Sequence, residues 1–184
     1  MRNLFELRQG VIDDIANNMP VIAALGNVVV KPHAGKFESK ELKSIGAKAP
    51  CIFISTGALG GIDSDALGDY ADIAFAAIIV TKDKPGIGRD EAAMLLANFL
   101  AVHLTDNHWG MDEVRRPPEK VNGRNLYSTA LKENAVAMWG FTWSQWMTIG
   151  GISDSADFDQ FLNHTGVSSE GENVPTTNID TTFQ

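Results

Sequence analysis

Residues 135–147 of this chain read AVAMWGFTWSQWM, and they place three of the protein's four tryptophans within eight positions. Aromatic and β-branched residues around a central Gly140 predict a long strand. Alternation puts Trp139, Phe141 and Trp143 on one face and Met138, Thr142 and Trp146 on the other. A strand that is apolar on both faces must be covered on both, by a helix layer on one side and by further chain or another molecule on the other. That requirement favours a sheet built into an assembly.

The remaining elements follow from periodicity and punctuation. Asn3-Leu4-Phe5-Glu6 resembles a capping box opening a first helix, with Leu7, Val11 and Ile15 at helical spacing and Pro20 beyond its end. Asn27–Val30 is a short strand. Residues 36–48, rich in lysine and glutamate, read as a solvated arm or a helical turn. Cys51–Ser55 is a buried strand, followed by a Gly- and Asp-rich loop over 57–69. Tyr70–Thr81 is a second long strand, with Ile73, Phe75, Ala77 and Ile79 on one face. Residues 88–104 are the strongest helical stretch. Asp90 and Glu91 complement its positive end, and Leu95, Leu96, Phe99 and Val102 form its apolar stripe. A long loop from Thr105 to Gly123 carries Trp109 and Arg115-Arg116-Pro117-Pro118, and Leu126–Ser128 adds an edge strand. The expected class is α+β, a mostly antiparallel sheet with helices packed on one face, plus an extended C-terminal arm. The domain expectation is a core over residues 1–148 and an acidic, partly irregular extension over 149–184, where Phe158, Phe161 and Leu162 read as a short docked helix.

Charge divides the chain in the same place. The whole protein carries a net charge of −8, and residues 149–184 contribute six acids with no lysine or arginine. A net-acidic chain is poorly suited to gripping phosphate backbones. The N-terminus opens directly into an amphipathic pattern without the features of a signal peptide, and no apolar run reaches membrane-spanning length. The single cysteine, Cys51, rules out an internal disulfide and fits a reducing compartment.

The chemical motifs fail one by one. Gly86-Ile87-Gly88 lies between strand and helix, but Glu91 occupies the position of the third glycine of a dinucleotide fingerprint, and the adjacent acids would repel a pyrophosphate. Asp63, Asp65, Asp69 and Asp72 miss the calcium-loop template and read as loop caps. The four histidines lack zinc-site spacing, with His103 and His108 off the i, i+4 interval. Ser55 does not sit in a nucleophile elbow, and Cys51 lies in an apolar strand. The expectation is a non-enzyme with no cofactor and no metal. Trp139 and Trp143 read as core. Trp109, Arg115, Arg116 and Trp146 are the candidate subunit or partner contacts, because aromatics and arginine concentrate at interface centres.

The order of these pieces resembles a family. An N-terminal helix, a strand APCIFIS, a strand ADIAFAAIIVT, the helix GRDEAAMLLANFLAVHL, an Arg-Pro loop and a strand AVAMWGFTWSQ are similar to the tail terminator proteins of long-tailed bacteriophages, the Mu-like group in particular. The resemblance spans about residues 1–148, and its most specific piece is Trp139-x-Phe141-x-Trp143-x-Gln145. It implies a structural virion protein assembled in the host cytoplasm. Six copies would form a ring on the head-proximal end of the tail tube, end tube polymerisation and offer a joining surface to the head. The implied partners are further copies of the chain, the tube protein and the head–tail connector. DNA would pass through the lumen without specific binding, and no membrane is involved. Two other readings stand beside it: a head-completion or stopper ring of the connector, and a small-ligand-binding α+β domain using the 57–69 loop.

Overall fold

A computed structural model describes residues 1–35, 48–126, 131 and 135–151. The part up to Gly151 forms one compact unit. The expectations for residues 36–47, for Tyr127 and Ser128, and for the extension beyond Gly151, including its docked helix, lie outside the described residues.

Helix α1 spans Leu4–Asn17. Its capping box is complete: Asn3 Oδ1 accepts from the Glu6 backbone N–H at 3.0 Å, and Glu6 Oε2 accepts from the Asn3 N–H at 2.9 Å. These reciprocal bonds satisfy donors that a helix start leaves open. Strand β1 (Val29–Pro32) follows, then β2 (Cys51–Asp65), β3 (Gly68–Lys82), helix α2 (Arg89–His103), β4 (Glu119–Asn125) and β5 (Val136–Thr148). The sheet order is β1-β2-β3-β5-β4, with every pairing antiparallel except β1 with β2. The architecture is therefore the expected α+β class.

Both helices cover one face. Leu7, Val11 and Ile15 of α1 and Ala92, Leu96 and Leu100 of α2 share a core with Ile52, Ile54, Ile73, Phe75, Phe141, Trp143 and Met147 of the strands. Phe75 and Trp143, direct partners across β3 and β5, stack with ring centroids 5.4 Å apart and planes 12° from parallel. The opposite face, here called outer, carries a smaller cluster of Cys51, Phe53, Val80, Leu131, Val136 and Met138. The two-sided apolarity of β5 thus has two sources of cover at one end, and Trp146 lies at the other.

Three local expectations are corrected. The stripe of α2 is rotated: Ala92, Ala93, Leu96, Ala97 and Leu100 face the sheet, while Leu95 and Val102 are 41% and 67% exposed. Small alanines let the helix approach the sheet closely, and that packing overrides the largest apolar side chains. The Gly/Asp-rich 57–69 segment is ladder, not loop. It forms the outer half of a β2–β3 hairpin turning between Asp65 and Gly68, with bulges between Thr56 and Leu59 and between Gly60 and Asp63. The bulges accommodate glycines that a regular strand would disfavour. The connection after α2 is shorter than Thr105–Gly123: it ends at Pro118, and β4 begins at Glu119.

Cys51 is fully buried in β2, and burial pushes its thiol up to about 11, against smaller opposing influences from Lys31 and Lys48. Only about one molecule in ten thousand then carries a thiolate at neutral pH. The folded protein is expected to resist a thiol reagent such as dithionitrobenzoate, with one equivalent released only in denaturant. Rapid labelling of the native state would contradict the burial.

Candidate functional site

The four sequence candidates separate into two places. Trp109 is 3% exposed and sits on the helix-covered side. Its ring lies between His103 and Trp143, at centroid distances of 5.9 and 6.1 Å. Its indole Nε1–H donates to Gln145 Oε1 at 2.6 Å, and the Gln145 amide donates to the carbonyl oxygens of Asn107 and Arg116, both at 3.0 Å. Gln145 itself has no exposed surface. Asn107 continues the network to Asp14 Oδ2 at 3.1 Å, and that carboxylate also meets His103 Nε2 at 2.7 Å. These bonds fasten the 104–118 connection to α1, α2 and β5 at once. Trp109 is thereby occupied inside its own chain and offers no surface to a partner. The sequence sign of this network was the glutamine ending Trp-x-Phe-x-Trp-x-Gln, a polar residue at an inward position of an apolar strand.

Arg115, Arg116 and Trp146 come together on the outer face, against the outer half of the hairpin. The Arg115 guanidinium pairs with both carboxylate oxygens of Asp65 and donates to the Gly68 carbonyl at 3.1 Å, while its Nε–H donates to Thr148 Oγ1 at 2.8 Å. It also lies 4.0 Å over the Tyr70 ring. Charge-assisted bidentate geometry of this kind fixes orientation as well as adding energy. The bond from Arg115, followed by the Leu67 backbone N–H, holds the Asp65 carboxyl below the usual carboxylate range. Tyr70 is pushed up by desolvation and then by the neighbouring Asp63.

Trp146 is half-buried. It packs beside Tyr70 at 5.7 Å and rests on Gly61, where an added Cβ would stand 2.5 Å from the indole. Gly61 also has φ of +55°, so this position takes glycine for both backbone and space. Arg116 is the most exposed of the group. Its guanidinium is 5.9 Å from the Trp146 ring centroid and 3.8 Å from Glu119. Lys120 reaches Asp72 at 3.5 Å on the same face. Asp72 Oδ1 and Ser144 Oγ, both on this face, and Trp143 Nε1 are buried without a hydrogen-bond partner.

Chemically the outer face gathers aromatic, guanidinium and carboxylate groups that pin one another. Among the described residues, no group of histidine, cysteine, aspartate or glutamate is placed to hold a metal ion. No helix among them is long and apolar enough to cross a membrane. Compared with models of known protein families and with curated proteins, the sequence matches none.

Proposed function

We propose that this chain is a structural, ring-forming protein of a long-tailed bacteriophage that terminates the tail tube. The observation that carries the reading is the outer half of the β2–β3 hairpin. It exposes Leu59, Ile62 and Leu67 at 42%, 65% and 70%, yet it is held rigidly by Arg115, by Trp146 against Gly61 and by Met1 against Gly68. A chain gains nothing in its own core from presenting three large aliphatic side chains to water on a stiffened hairpin; a partner surface would gain from it. The element order resembling tail terminators supplies the kind of partner: copies of the same chain, the tube end and the head connector. The acidic balance suits a lumen through which DNA slides without sticking.

Negative-stain electron microscopy with light scattering tests this directly. A closed ring of six copies has a mass of about 119 kDa, six times the 19.9 kDa chain. Such particles, or decoration of one end only of purified tail tubes, are the expected result. Trp146→Ala and Arg116→Glu should each weaken capping while leaving a folded chain by circular dichroism. Undiminished capping by both variants would remove the outer-face cluster from the interface.

A further inference from the structure

We infer that copies of this chain join head to tail by pairing the open outer half of β2 in one copy with the edge strand β4 of the next. The inference builds on the self-assembly proposed above and specifies its seam. The sheet has two open edges among the described residues. β1 pairs with β2 only from Cys51 to Ile54, and the last bond between them runs from the His33 N–H to the Ile54 carbonyl at 2.9 Å. Beyond that point Gly57–Asp65 is bonded, among the described residues, on one side alone, to β3, and is exposed throughout. At the far side β4 is bonded, among the described residues, only to β5, and Lys120–Asn125 are exposed.

The edges are complementary in charge. From Cys51 to Asp72 there is no lysine or arginine, and Asp63, Asp65, Asp69 and Asp72 lie along the hairpin. β4 brings Lys120 and Arg124; since Asp65, Asp72 and Arg116 are paired within the chain with Arg115, Lys120 and Glu119, the opposed charges left at the two edges are Asp63 on β2 and Arg124 on β4. Two β2 edges would set acid against acid and two β4 edges base against base, so symmetric pairing of like edges is disfavoured and the mixed seam is left. By register the charges share a face: Asp63 opposes Tyr70, which opposes Thr148, and Arg124 opposes Gly140, all on the outer side.

The helix-covered side matches as well. Leu59 opposes Ile73 on that side. β4 borders an apolar groove of about 490 Å³ between itself and α2, lined by Met94, Ala97, Ala101, Val121, Trp139 and Phe141. A continued sheet would lay Leu59 of one copy toward this groove in the next.

Strand direction and stagger agree with closure. Successive antiparallel pairings from β2 through β3 and β5 make β4 run opposite to β2, so repeating the sheet in one sense creates an antiparallel seam. Asn122 of β4 is level, through Thr142 and Ala76, with Ser55, whereas the centre of the open half, Gly60, is level with Asp72. The seam therefore needs an offset of about four residues over the four strands from β2 to β4, close to the roughly one residue per strand of a closed (β/α)₈ barrel. Such a heterologous contact forms a ring if its rotation closes.

The test is a reciprocal charge exchange read by light scattering on the full chain, with thermal melts to establish that each variant folds. Asp63→Arg alone and Arg124→Asp alone should each weaken self-association by roughly tenfold or more, because every seam then opposes like charges. Mixing the two variants in equal amounts should restore association to near the parent level, since an alternating ring pairs opposite charges at every seam. Variants that associate as the parent does, a mixture no better than its components, or a parent that stays monomeric alone and at tube ends would each overturn the inference. Rescued oligomers that ignore tube ends would keep the seam and reject the terminator reading. Six-fold caps indifferent to the exchange would do the reverse.

Discussion

Gln145→Leu is expected to lower the stability of the fold by about 3–5 kcal/mol, although leucine matches the apolar strand around it better than glutamine does. The amide of Gln145 is the shared partner of Trp109 Nε1 and of the carbonyl oxygens of Asn107 and Arg116. Removing it strands three polar groups at once, each costing about 1–3 kcal/mol when buried without a partner, and the added apolar surface recovers part of that total. Because those groups belong to the connection between α2 and β4, the loss should be local first. Hydrogen exchange over residues 105–118 should rise before that of β3. Chemical denaturation checks the magnitude; a midpoint within error of the parent would mean that water replaces the amide without penalty.

Arg115→Ala has the second largest expected effect, about 2 kcal/mol, arising from the lost bonds to Thr148 and the Gly68 carbonyl and from the packing of the arginine stem. Its distinctive signature is in pH. Asp65 has a folded-state pKa below its unfolded one, so its bond to Arg115 contributes stability above the unfolded value, near 4, and loses it as pH falls through the lower folded value. The parent should therefore lose hairpin stability on acidification below about pH 4. The alanine variant should lose less over the same interval, its Asp65 having no guanidinium to lose. Identical acid melts for the two proteins would show that the pair adds nothing measurable. Arg116→Ala, at an exposed position with one longer ion pair, is the useful comparison and should change stability little.

These two arginines, adjacent in sequence, show how far the chain alone could be read. Both stood out as a basic pair in a Pro-rich connection, and both lie on the outer face beside Trp146. Their different duties depend on Asp65 and Gly68, about fifty positions earlier, which the hairpin folds back to meet Arg115. No local pattern encodes that meeting. Trp109 is the sharper instance: an aromatic in a long connection is a reasonable surface candidate until Gln145, thirty-six positions away, is placed against it.

What the sequence by itself determined was local in origin. The capping box at Asn3 and Glu6, the alternation through Ile73, Phe75, Ala77 and Ile79, and the two-faced aromatic strand each follow from periods of two or three-and-a-half residues and from backbone donors needing partners. Those patterns suffice for α1, β3, β5 and the α+β class. Only the tertiary structure decided the rest. It set the rotation of α2, where close approach of alanines outweighed Leu95 and Val102. It made the 57–69 segment a hairpin, because β3 supplied a ladder that glycines and aspartates would not have formed alone. It left the edges of β2 and β4 open, among the described residues, on opposite sides of one sheet. The physical reason is common to all three: side-chain periodicity acts between near neighbours, whereas the phase of a helix, the pairing of a weak strand and the exposure of an edge are settled by what stands across the fold.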